Sequence, residues 1–179
     1  ATGTGLNSGE CIIQFACILY RDGEIIEEFD TLVQPEKNIS KYITDLTGIS
    51  NEDVKGAPYF EELVELIITL LERTVFVAHN VGFDFRFLNE HIVKAGYPPL
   101  TNKTLDTVEL SQILWPSADS YKLDELADLI DEPLIDAHNA LEDARVTVKL
   151  LEALWDRACS LPKVTVKELV RLSDCMAFD

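Results

Sequence analysis

Val75-Phe76-Val77-Ala78-His79-Asn80-Val81-Gly82-Phe83-Asp84 decides how this chain is read. Four apolar, β-prone residues stop at a polar pair, and Phe83, Phe87, Leu88, His91 and Ile92 then recur at helical spacing. A strand that runs directly into a helix is the unit from which layered α/β domains are built. Its turn aims His79, Asn80 and Asp84 at the strand-to-helix junction. Asp84 alone would need no explanation beyond the helix dipole, which favours an acid in the first turn. Asn80 fits a cap for the same helix.

On the N-terminal side, Cys11 to Tyr20 is apolar and β-prone, Asp22-Gly23 is a tight-turn pair, and Glu24 to Val33 alternates, which together predict a β-hairpin. Short helical pieces follow around Ile39 to Lys55, where Ser50 and Asp53 have capping-box spacing. Pro58 opens a longer helix whose buried face is expected to hold Leu63, Leu66, Ile67, Leu70 and Leu71. On the C-terminal side, Thr104-Leu105 reads as a remnant of a strand, Asp106 to Leu114 as a helix stopped by Pro116, and Ser120 as a cap for a helix over Tyr121 to Ile130. The longest helix is expected from about Ala137 to Cys159. Hairpin, strand-helix alternation and a long closing helix indicate an α/β domain with a mixed sheet.

Composition narrows the function classes. The chain of 179 residues is 47% hydrophobic and 26% charged, which fits one globular domain rather than a disordered or membrane chain. No stretch reaches the roughly 18 apolar residues of a membrane span, and no signal peptide is visible, so the cytoplasm is the expected compartment. Cys11, Cys17, Cys159 and Cys175 show no zinc-binding spacing and read as reduced packing residues. Thirty-two acidic against fifteen basic residues give a formal charge of −17. That charge opposes a grip on long duplex DNA, because such a grip needs many cations at phosphates. It is compatible with nucleic-acid chemistry at one small site where divalent ions carry the positive charge, so the footprint would be a strand end.

Two further residues complete the candidate chemistry. His138 and Asp143 are five apart, so inside one regular helix they would point about 140° away from each other. His138 is therefore expected before or at the start of the last helix and Asp143 one turn inside it. A histidine at such a place is by itself commonly a cap or a surface residue.

Taken together and in order, these segments resemble the DnaQ-like 3′–5′ exonucleases of the DEDDh kind. His79-Asn80-Val81-Gly82-Phe83-Asp84 is similar to that family's second motif, and His138-Asn139-Ala140-Leu141-Glu142-Asp143 to its third. Asp45-Leu46-Thr47-Gly48-Ile49-Ser50 and Leu105-Asp106-Thr107 resemble its intervening segments. The likeness covers residues 1–160, expected to be the exonuclease domain, with 161–179 as a helical connector. It implies a ribonuclease H-like fold, a mixed five-stranded sheet flanked by helices. Ala1-Thr2-Gly3 resembles the end of the first motif, an Asp-x-Glu on the first strand. Both acids and that strand lie outside this sequence, which also opens without Met. A sheet without its first strand would expose unpaired edges, so the chain is expected to begin after residues present in the protein.

The resemblance also implies a chemistry. Two divalent cations, Mg²⁺ or Mn²⁺, would be held by Asp84, Asp143 and the absent acidic pair, since hard cations prefer carboxylate oxygen. His138 would take the proton of the attacking water. The backbone at Thr2, Gly3 and Thr4 would cradle the terminal nucleotide, with His79 and Asn80 as supporting groups of the substrate site. The products would be 5′-mononucleotides released from a single-stranded 3′ end, of DNA first and RNA as the alternative. Ser160-Leu161-Pro162 to Ser173 resembles the connector after the nuclease domain of DinG-type proteins of Gram-positive bacteria, so a helicase-like domain of the same parent chain is an expected partner. A polymerase proofreading subunit of the same family is one alternative. A catalytically silent module that binds a nucleic-acid end or a partner protein is another, from a different class. Asp106 resembles a structural family position and fits a helix cap.

Overall fold

The computed structural model describes residues 11–134 and 139–163, with 165 and 167. The hairpin forms as the sequence dictates. Strands β1 (Gln14–Arg21) and β2 (Glu24–Leu32) pair antiparallel from Gln14 opposite Leu32 to Arg21 opposite Glu24. Asp22 and Gly23 both take positive φ, 55° and 87°, the left-handed pair whose twist matches that of the strands it joins. Helix α1 (Lys41–Thr47) starts at Ser40, whose hydroxyl accepts from the Ile43 N–H, and stops at Gly48 with φ 74°.

Helix α2 (Phe60–Leu71) begins two residues after Pro58, with Tyr59 at the N-cap and the Glu62 carboxylate accepting from the Tyr59 N–H at 2.8 Å. Its buried face is Phe60, Leu63, Val64, Ile67, Leu70 and Leu71, whereas Leu66 is 43% exposed. The expectation for Leu66 is corrected. Val64 and Ile67 lie on the same face as Leu71, and Leu66 turns about 100° away from Ile67.

Strand β3 (Val75–Ala78) leads into helix α3 (Val81–Lys94). It pairs in parallel with β4 (Lys103–Asp106), so the expected strand remnant at Thr104-Leu105 is a complete four-residue strand. Helices α4 (Thr107–Leu114), α5 (Leu123–Leu129) and α6 (Ala140–Ser160) follow. Here the expected boundaries move. Ser120 does accept from the Lys122 N–H at 3.3 Å, but Lys122 occupies the N-cap and α5 starts at Leu123. Helix α6 starts at Ala140 rather than Ala137, because the Asn139 side chain caps it by accepting from the Leu141 and Glu142 N–H groups. The expected amphipathic tail with Val166, Leu169, Val170 and Leu172 lies outside the described residues.

The fold is α/β with both antiparallel and parallel pairing. The described residues hold four strands in two separate two-stranded sheets, β1-β2 antiparallel and β3-β4 parallel, where the sequence led one to expect a single mixed sheet. Residues of β1, β3 and α6 line one broad groove. One apolar cluster packs α2 against α3, with Val64, Ile67 and Ile92 fully buried. A second joins Leu114, Leu126, Leu150 and Leu154 from α4, α5 and α6. Together they fix α3 and α6, the helices that carry Asp84 and Asp143. Among the described residues no helix is long and apolar enough to cross a membrane.

His91, in the first cluster, gives the domain a pH dependence of its own. It is 6% exposed, its ring meets Phe60 and Phe87 edge-on, and its Nδ1 donates to the Phe87 carbonyl at 2.9 Å. Its Nε2 has no hydrogen-bond partner. Burial holds the imidazole below its ordinary 6.5, since protonation would place a charge among aromatic rings. The unfolded chain therefore binds the proton more readily. The stability contributed by the neutral ring is complete above pH 6.5 and falls as pH drops through that value toward the lower folded pKa. Denaturant midpoints measured from pH 5 to 8 should decline on the acid side in the parent and decline less in His91→Leu. Parallel curves for the two proteins would refute the assignment.

Candidate active site

The strand-to-helix turn after β3 is the centre of the site. Asn80 sits at the N-cap of α3, as its sequence position predicts, but in the left-handed region with φ 70° and ψ 54° and without a side-chain capping bond. The expected cap comes instead from across the ladder. Asp106, at the end of β4, accepts the Asn80 N–H at 3.2 Å and the Val81 N–H at 3.0 Å, and also caps α4 through the Val108 N–H at 2.8 Å.

His79 completes the tie between the two turns. Its Nε2 lies 2.8 Å from the Tyr121 carbonyl and its Nδ1 2.9 Å from the Thr107 hydroxyl. A carbonyl only accepts, so Nε2 carries a proton and, in the neutral ring, Nδ1 accepts from Thr107. Both ring nitrogens are thus engaged within the protein, an arrangement suited to a supporting group. Thr107 is fully buried, which shields this contact from water.

Asp84 projects from the first turn of α3 and Asp143 from the first turn of α6, and both line the groove. Asp84 is partly buried. Burial, joined by the charges of Asp143 and Asp106, raises its pKa above the ordinary carboxylate value. Like charges gathered in a half-dry cleft are unfavourable without a cation, and their oxygens are the donors that hard divalent ions take. The donor chemistry of this pair fits such an ion. Among the described residues no cluster of three or more metal-ligating side chains forms, so two carboxylates are what these residues offer.

The N-terminus of α6 is set by contacts that sequence reading missed. Gln14 of β1 accepts the Ala140 N–H at 3.0 Å. Arg145 bridges Glu28 of β2 and Glu142 of α6, at 2.8 and 2.6 Å. These bonds seat the first turn of α6, and with it Asp143, against the hairpin. Spacing in the sequence carries no sign of the Gln14 and Glu28 contacts, because each joins α6 to a strand remote along the chain, whereas Glu142 and Arg145 are an i,i+3 pair within α6. Of the other expected site residues, Thr2, Gly3, Thr4 and His138 lie outside the described residues.

A profile of the family described as exonuclease matches residues 1–151. The chain is 38% identical over 172 residues to the 3′–5′ exonuclease DinG of Bacillus subtilis, covering 96% of this chain and 18% of that protein. It is also 38% identical over 158 residues to a PolC-type DNA polymerase III of Caldanaerobacter subterraneus, covering 86% of this chain and 11% of the polymerase. Among solved structures, exonuclease X in complex with 5′ overhanging duplex DNA superposes with a TM-score of 0.63 at 25% identity, over 80% of this chain and 82% of that one. The nuclease domain of 3′hExo, a DEDDh family member, shares the fold with a TM-score of 0.70 at 17% identity, over 86% of each chain. The chain belongs to the exonuclease family and has a ribonuclease H-like α/β fold. It spans only 18 to 20% of the length of its DinG relatives.

Proposed function

We propose that this domain removes 5′-mononucleotides one at a time from the 3′ end of single-stranded DNA, with Asp84 and Asp143 as ligands for two divalent cations, Mg²⁺ or Mn²⁺. The observation that supports it is that these two carboxylates line one groove near enough for the charge of Asp143 to help raise the pKa of Asp84, although their helices are separated in the chain by β4, α4 and α5. Bound there, the ions would supply charge stabilisation to the attacking and leaving oxygens of an in-line displacement.

The protein's own residues do the rest. Asp84 and Asp143 would hold the ions, whose charge would offset the mutual repulsion of the two carboxylates. His138, five residues before Asp143, takes the proton of the attacking water, which its ordinary pKa near 6.5 allows at neutral pH. Thr2, Gly3 and Thr4 offer backbone to the terminal nucleotide. His79 and Asn80 shape the turn behind Asp84. Beyond the domain, residues 161–179 act as a connector, and the much greater length of the DinG relatives supports a helicase-like partner domain in the same parent chain. The compartment in this reading is the cytoplasm.

A domain of charge −17 has little means of holding a strand away from its end. A linear 3′-hydroxyl oligonucleotide should therefore be degraded in Mn²⁺, while a circular single strand or a 3′-blocked oligonucleotide should survive. Appreciable cutting of circles would indicate an endonuclease. A parent protein that takes up no Mn²⁺ in calorimetric titration would instead be the silent end-binding module. Parallel assays on RNA oligomers rank the two nucleic acids.

A further inference from the structure

We propose that Asp106 is a positioning residue for the metal site: its carboxylate clamps the β3–α3 turn from across the ladder and thereby sets where Asp84 projects, without itself binding metal. The inference rests on the reading of Asp84 as a metal ligand.

A plain cap of α4 requires one bond, and the Val108 N–H provides it. The other two bonds reach backbone 26 and 25 residues away, at Asn80 and Val81. They therefore serve α3 rather than α4. Three backbone donors converge on the carboxylate, Asn80 and Val108 on Oδ1 and Val81 on Oδ2. N–H···carboxylate bonds are stronger than those between neutral groups, and a carboxylate so engaged has less lone-pair density to give a cation.

The turn needs an external hold. Asn80 is in the left-handed region, which few residues other than glycine and asparagine adopt, and its side chain makes no capping bond to α3. Its neighbour His79 is fixed to Thr107 and Tyr121, so both turns are tied at two adjacent points. Asp84 lies one helical turn beyond this anchorage. If the turn relaxes by about 1 Å, Asp84 is carried with it, and a misplacement of that size can lower a rate by about 10²-fold.

The test uses the full-length parent protein and its Asp106→Asn, Asp106→Ala and Asp84→Ala variants. Asn keeps an oxygen for Asn80 and Val108 but sets an amide N–H against that of Val81, so it loosens the turn with little change of shape. Hydrogen exchange of the metal-free proteins should be faster over residues 79–84 in Asp106→Asn, and faster still in Asp106→Ala. Calorimetric Mn²⁺ affinity should fall at least about tenfold in Asp106→Asn. Raising the metal concentration should restore part of kcat, with KM for the oligonucleotide unchanged. Unchanged exchange over 79–84 in Asp106→Asn would overturn the proposal. So would loss of metal uptake that no concentration restores, which would make Asp106 a ligand. Should Asp106→Ala not fold, Asp106→Asn alone decides. Asp84→Ala separates the two readings: if it takes up Mn²⁺ like the parent, the assignment of Asp84 fails, while the exchange data still judge the clamp.

Discussion

Asp143→Ala should reduce turnover of a 3′-labelled oligonucleotide to background while leaving the fold intact. Asp143 is in the first turn of α6 and lines the groove that Asp84 enters. Alanine removes one of the two carboxylates the described residues bring there, and the carboxylates that remain in the full-length parent cannot hold both ions against their hydration. The helix itself does not depend on this side chain. Asn139 caps it, Gln14 accepts its Ala140 N–H, and Leu150 and Leu154 are buried in the cluster with Leu114 and Leu126. The Thr147 hydroxyl bonds to the Asp143 backbone carbonyl, which alanine retains. Removing a neighbouring negative charge also relieves Asp84, whose pKa that charge raises. Circular dichroism should superpose on that of the parent. Near-normal degradation by a folded variant would end the assignment of Asp143 as a ligand.

His138→Ala is expected to lower turnover by about 10²- to 10⁴-fold, the range a positioned general base supplies, with Mn²⁺ affinity nearly unchanged. Raising the pH provides hydroxide directly. The variant should regain part of its rate in alkaline buffer, while the parent levels off above its histidine pKa. A histidine acting only as a helix cap behaves otherwise. Its loss would remove roughly 1 kcal/mol of stability and spare the rate. The cap position of α6 is already taken by Asn139, whose side chain accepts two N–H groups, and this weighs against the capping role. Turnover against pH, measured alongside denaturant midpoints, separates the two roles. Unchanged turnover at neutral pH would sink the base assignment.

Both predictions join residues whose types were legible in the sequence to a geometry that was not. The hairpin could be read because Asp22-Gly23 is a local solution to a local demand, two adjacent residues at positive φ. The β3–α3 unit was equally legible, since an apolar run followed by helical periodicity is a property of neighbouring residues. Where the reading failed, the competing partner came from elsewhere in the chain. Asn80 looks like a capping side chain, yet the tie to Asp106 holds the turn left-handed and leaves its side chain without that bond. Leu66 has the composition of a core residue, but the helix rotation chosen by packing against α3 buries Val64 in its place.

The sequence by itself determined the order of the strands and helices, the presence of an acid in the first turn of both α3 and α6, and the ordered motifs that resemble one exonuclease family. These rest on periodicity, turn chemistry and spacing, each confined to a few consecutive residues. Only the tertiary structure decided that Asp84 and Asp143 share a groove, that Asp106 serves two helices at once, and that Gln14 and Arg145 seat the start of α6. The reason is physical: electrostatic coupling and hydrogen bonding depend on distance in space, and packing of the two apolar clusters, rather than proximity along the chain, sets those distances.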